Sequence, residues 1–114
     1  MKRIEFALPA TFDIDEILAN SETEFGGRIA VRYQRLIGLA IDALARDPER
    51  IGVRQTPDTP SGVYWFHLRS ARTMAPPDER IGKPRHLILF TVTDTHIFIL
   101  RLLHDSMDIP AHAG

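Results

Sequence analysis

The sequence predicts an α+β fold: a strand, two helices and an antiparallel meander at the C-terminal end, with a helical hairpin covering one face of the sheet. Three observations carry this. Residues 85–103, RHLILFTVTDTHIFILRLL, hold two runs rich in Ile, Leu, Val and Phe on either side of Thr93-Asp94-Thr95. Such runs around a polar tip read as a β-hairpin. Ile29, Tyr33, Leu36, Ile37, Ala40 and Leu44 recur mostly at spacings of three and four, which lays an apolar stripe along one side of a helix. Gly26-Gly27 separates that helix from an earlier helical segment, so the two form an antiparallel pair. The order β-α-α-β-β-β follows.

Arg3 to Leu8 is apolar-rich and stopped by Pro9, which suits a first strand. A helix is expected over 11–24, with Thr11 or Asp13 as its cap, because a side-chain oxygen there can accept from free backbone N–H groups. Phe12, Ile14, Ile17 and Leu18 are expected to line its buried side. The second helix runs to about Arg46, and Pro48 and Gly52 end the region. Residues 55–62 read as a loop and 63–68, VYWFHL, as the next strand. The segment 73–84, TMAPPDERIGKP, is a long polar connection; loops of this length between neighbouring strands are often functional. In the strand that follows, Leu87 and Leu89 alternate with Ile88, Phe90 and Val92. Apolar residues on both sets predict a central strand covered on both faces. Alternation aligns Arg69 with Val63, Trp65 and His67, and Arg101 with Ile97 and Ile99. The end of the chain, from about residue 109, is expected to be poorly ordered.

One domain spanning residues 1–114 is the expectation from length. No segment reaches the roughly 18 consecutive apolar residues of a membrane span, no signal peptide is visible, and no membrane partner is expected. Without cysteine, disulfides and thiolate metal sites are excluded and a cytoplasmic location is expected. A net charge of −1 argues against a grossly basic nucleic-acid binder. Charge is nevertheless divided. Residues 1–25 set Lys2 and Arg3 against six acids, whereas residues 80–104 set Arg80, Lys83, Arg85 and Arg101 against Asp94 alone. A basic surface of this kind can receive an acidic partner or a phosphate backbone.

The five histidines, His67, His86, His96, His104 and His112, form no compact ligand motif, so no metal and no other cofactor is expected. Ser61, Ser70 and Ser106 sit in no nucleophile elbow. Asp13, Asp15 and Glu16 fall near a helix start, where acids favour the helix dipole.

Three stretches carry a resemblance to the RelE/ParE superfamily of toxins from bacterial type II toxin–antitoxin systems, closer to ParE. DPERIGVR, residues 47–54, resembles the Pro-, Gly- and Arg-containing end of the second helix in ParE-like proteins. RHLILFTV, residues 85–92, resembles their central strand. IFILRLLHDSMD, residues 97–108, resembles their last strand, which typically reads I-L-R-V-L-H-G-R-x-D. This chain has Asp105-Ser106-Met107 where the family tends to have Gly-Arg after the histidine, and its 73–84 connection is longer than usual.

The resemblance implies a growth-inhibiting toxin that binds a target such as DNA gyrase and is silenced by a cognate antitoxin in a hetero-oligomer. The alternative it implies is a RelE-like ribosome-dependent mRNA endonuclease, in which basic and acid–base groups activate the 2′-hydroxyl and neutralise the phosphate. A third reading is an antitoxin-binding relic without toxic action. For a nuclease the catalytic candidates are Arg69, Arg85, Arg101 and His104, with His67, Arg72 and Lys83 beside them. For target or antitoxin binding they are Tyr33, Arg69, Arg72, Arg80, Lys83, Arg85 and Arg101. The balance leans away from an enzyme.

Overall fold

The computed structural model describes residues 1–55 and 62–107. Most of the expected 55–62 loop and the expected disordered tail lie outside the described residues.

The chain runs β1 (Arg3–Phe6), α1 (Leu8–Phe25), α2 (Gly27–Arg46), β2 (Val53–Arg54), β3 (Tyr64–His67), β4 (His86–Val92) and β5 (His96–His104). Two 3-10 helices, Leu68–Met74 and Pro77–Glu79, lie in the connection between β3 and β4. The sheet order is β1-β5-β4-β3-β2. The meander β3-β4-β5 is antiparallel as expected. The sheet is mixed, because β1 joins its far side parallel to β5. Parallel neighbours need a long crossover, and here the helical hairpin and most of the meander lie between the two strands. The short strand β2, antiparallel to β3, has too few residues for a period to show in the sequence.

The first helix starts earlier than its capping residues predict. Ala7 is the N-cap without a side-chain bond, and Pro9 sits in the first turn. Proline fits there because those backbone N–H groups have no helical partner to lose. Thr11 Oγ1 instead donates to the Leu8 carbonyl at 2.7 Å, Asp13 turns toward the sheet, and Phe12, expected on the buried side with Ile14, Ile17 and Leu18, is exposed while those three pack against the core. Gly26 ends α1 and starts α2 at φ 91°, a conformation that glycine adopts without steric cost.

The helical hairpin covers one sheet face. Leu36, Ile37, Ala40 and Leu44 are buried in one cluster with Phe66, Ile88, Phe90, Ile97 and Ile99. On the other face Val63, Leu87, Leu89 and Leu103 form a second buried cluster, flanked by Trp65 and Leu100. Both alternating sets of β4 are therefore buried.

A register shift in the β4–β5 ladder pairs Leu89 with Arg101 but Phe90 with Ile99. Leu100 is the extra residue of a β-bulge, so Ile99 and Leu102 both belong to the helix-side cluster. Alternation from Ile97 and Ile99 thus does not carry through to Arg101. Nor does alternation along β3 reach Arg69, which lies in the 3-10 helix Leu68–Met74. The two arginines do not share a face by strand period.

Candidate functional site

A cleft of about 660 Å³ opens between the helical hairpin, the connection before β4 and the end of β5. Ile17, Phe25, Ile29 and Tyr33 line it from the hairpin, and Arg80, Lys83 and Arg85 from the connection. His86, Leu102, His104 and Met107 complete it from the sheet.

The walls are built from the buried stripe of α2 outward. Tyr33 belongs to that stripe, and its hydroxyl lies where β4 begins. It accepts the Arg85 backbone N–H at 3.2 Å and lies 2.7 Å from His86 Nδ1. Burial pushes the phenol up to about 12. Burial, with the neighbouring His104, pulls the His86 imidazole down to about 4. His86 is therefore neutral near pH 7. The β4–β5 register sets His86 opposite His104, and their rings meet edge to face at 5.4 Å. His104 Nδ1 accepts the Ser106 backbone N–H at 3.1 Å and lies 2.7 Å from the Ser106 hydroxyl.

Asp105 ties the end of β5 to its neighbours. Arg85 donates to it through Nη2 at 3.0 Å and Nε at 3.2 Å. His67 Nδ1 accepts the Arg69 backbone N–H at 3.0 Å. That places the His67 proton on Nε2, 3.1 Å from Asp105 Oδ2. The bonds from Arg85, and secondarily from His67, pull the Asp105 carboxyl down to about 2.

Arg101 is occupied elsewhere. Its Nε and Nη2 donate to the two oxygens of Asp13 at 2.7 and 3.0 Å, and Asp13 Oδ2 also accepts the Leu102 backbone N–H at 3.0 Å. β1 pairs only with residues 96–99 of β5, so farther along a side chain of α1 completes that edge.

Of the residues singled out from sequence, Tyr33, Arg80, Lys83, Arg85 and His104 line one cleft. Arg101 lies behind it on Asp13. Arg69 and Arg72 belong to the 3-10 helix, where Arg69 is exposed and Arg72 Nε donates to the Ile81 carbonyl at 2.7 Å. Arg80 donates to the Ala75 and Thr73 carbonyls at 3.0 and 3.2 Å, and Arg35 pairs with Glu79. The long connection is thus braced by arginines from inside and outside. His67 is 3% exposed, a buried bracing group. Sequence reasoning passed over His86 and Asp105. Asp105 was visible as the residue that breaks the family's Gly-Arg pattern, next to a histidine.

Chemically, the cleft is an apolar floor of Ile17, Phe25, Ile29 and Met107 between charges of opposite sign. Glu16 and Glu24 stand on the hairpin side, Lys83 and Arg85 on the other. Among the described residues no cluster of His, Asp or Glu could hold a metal ion.

The fold has counterparts among solved structures. The chain is 17% identical to one in the chromosomal ParDE toxin–antitoxin system from P. aeruginosa, with TM-score 0.68 over 91% of this chain and 96% of that one. A YoeB dimer from Staphylococcus aureus matches with TM-score 0.50 at 17% identity, over 88% and 92% of the two chains. The E. coli DinJ–YafQ toxin–antitoxin complex matches with TM-score 0.51 at 14% identity, over 92% and 93%. Comparison with curated proteins finds no matching relative. The family model for the ParE toxin of the type II toxin–antitoxin system parDE matches residues 4–109. The chain belongs to the ParE toxin family.

Proposed function

We propose that this chain is a toxin that inhibits growth by binding a protein target such as DNA gyrase, and that a cognate antitoxin silences it by occupying the cleft. The observation that carries this reading is the commitment of three of the four catalytic candidates, Arg85, Arg101 and His104, to internal partners. A nuclease of this fold would need a free base near the 2′-hydroxyl and free cations for the phosphate. Here Arg101 is bound by Asp13 and Arg85 by Asp105. The His104 Nδ1 lone pair accepts from the Ser106 N–H, and the Nδ1 of His86 is bonded to the Tyr33 hydroxyl. The carboxylates of Glu16 and Glu24 on the cleft wall would repel RNA phosphate.

The same cleft suits an amphipathic peptide segment. Its apolar floor takes aliphatic anchors, and Lys83 takes acidic side chains at the rim. Arg69, exposed on its 3-10 helix, stays available for the target. The test is regulated expression in bacteria, followed by in vitro assays with purified gyrase and with programmed ribosomes. Accumulation of gyrase–DNA cleavage complexes with intact transcripts is expected. Transcripts cut on the ribosome would overturn the binding reading in favour of RNA cleavage, and unaffected growth would leave only an antitoxin-binding relic.

A further inference from the structure

We infer that the α1 wall of the cleft selects its occupant by a polar code: Ser21 shares a hydrogen bond with a polar side chain of the docking segment, and Glu16 and Glu24 receive two of its Lys or Arg side chains. This rests on the reading that an antitoxin segment fills the cleft, and adds what that segment must carry.

Residues of α1 reach the cleft in two rows with a spacing of four. Ile17, Ser21 and Phe25 form one row, and Glu16, Asn20 and Glu24 the other. That spacing keeps each row on one side of the helix. Ser21 is 9% exposed, yet among the described residues its hydroxyl has no hydrogen-bond partner. A helical serine or threonine can donate to the carbonyl four residues back, as Thr23 does to Ala19 at 3.0 Å. Ser21 makes no such bond. An occupant that covers Ser21 with an apolar group strips its hydroxyl of water and leaves it unpaired, whereas one that brings a donor or acceptor satisfies it. A site of this kind rejects the apolar analogue.

The charges point the same way. On the opposite wall Arg85 is held by Asp105, and Arg80 by the Ala75 and Thr73 carbonyls. Asp13 is held by Arg101. Glu16 and Glu24, with Lys83 across from them, are left without an ion-pair or hydrogen-bond partner among the described residues. Both acids are exposed and lie eight residues apart, about 12 Å along the helix.

The occupant is a helix rather than an added strand. Beside the cleft the Leu102 N–H is taken by Asp13 and the His104 carbonyl by the Met107 N–H, both at 3.0 Å. That part of the sheet edge is closed to a ladder, and a helix satisfies its own backbone. Two basic residues about two turns apart on the partner helix match the span from Glu16 to Glu24. A polar residue near the midpoint of that span meets Ser21, apolar neighbours meet Ile17 and Phe25, and an acid on the other flank meets Lys83.

Calorimetric titration of the purified full chain with the antitoxin encoded beside it tests the proposal. Glu16→Lys/Glu24→Lys is expected to weaken binding by at least about tenfold, and Ser21→Ala by about fivefold or more. Both variants should melt near the wild-type temperature, because neither loses a bond within the fold. Antitoxin variants selected by display for capture of the charge-reversed chain should carry Asp or Glu in place of Lys or Arg; selected variants without that exchange would overturn the charge pairing. Wild-type affinity in either toxin variant would overturn the code. If Phe25→Ser still weakens binding in that case, the cleft remains the antitoxin's seat and only the code fails; if Phe25→Ser also binds as wild type, the reading of the cleft fails with it.

Discussion

Asp105 closes one end of the sheet by holding Arg85 and His67 at once, and its electrostatics set part of the acid response. Its carboxyl is held at about 2, below the ordinary 3.8, chiefly by Arg85. The unfolded chain binds this proton more readily, so the contribution to stability is present above about 3.8 and is lost as pH falls through about 2. His86 acts over a higher window. Burial pulls it from 6.5 to about 4, so the unfolded chain takes up a proton that the folded chain refuses. Stability is complete above about 6.5 and declines as pH falls toward about 4. Melting temperature measured against pH is expected to fall below 6.5 in the wild type and to fall less steeply over that window in His86→Gln; equal slopes would show that His86 is not held neutral. Gly52 gives a second residue-scale expectation. Its φ is +103°, and a Cβ there would lie 2.9 Å from Ser70 Oγ and 3.1 Å from the Phe66 ring. Gly52→Ala should therefore cost at least about 1 kcal/mol, from strain and crowding together, read as a lowered urea midpoint.

Among the secondary-structure elements, α2 was legible because its signal is periodic and long. Its stripe names the residues that are buried against Ile88 and Phe90. Leu36, 2% exposed, should lose roughly 2–5 kcal/mol on replacement by Ala, and a thermal melt unchanged by that substitution would sink the packing described here. The start of α1 was legible in kind but not in place, since Pro9 stops a strand and opens a helix equally well. Arg101 shows what local pattern cannot reach. A charge within an apolar strand demands a partner, but Asp13 lies far away in sequence. The bulge at Leu100, which turns the strand at that point, leaves no mark in composition. Asp13→Ala would strand both the Arg101 guanidinium and the Leu102 N–H. Its expected cost is roughly 2–3 kcal/mol, partly recovered in an Asp13→Ala/Arg101→Leu double variant.

For the molecule as a whole, the sequence showed an acidic first quarter and a basic later segment, and the fold sets the two across a cleft. Glu16 and Glu24 face Lys83 and Arg85 over an apolar floor. The residues gathered there from sequence were five of the expected set, while His86 and Asp105 needed the β4–β5 register to be seen as neighbours. This arrangement predicts how the antitoxin is held. Phe25 and Met107 line the cleft and are 66% and 46% exposed, so the isolated fold gains little from them. A partner segment that covers them removes them from water, and buried anchors of this kind carry most of the affinity in protein interfaces. Phe25→Ser and Met107→Ser should therefore each weaken antitoxin binding by about tenfold or more, with thermal stability of the free toxin almost unchanged. Lys83→Glu should act differently. It stands at the rim, so it should slow association with an acidic segment and reduce its salt dependence, with a smaller effect on dissociation. Surface plasmon resonance of the three variants against the immobilised antitoxin separates the two effects. If the antitoxin is captured and released at wild-type rates by all three, the cleft is not where it binds.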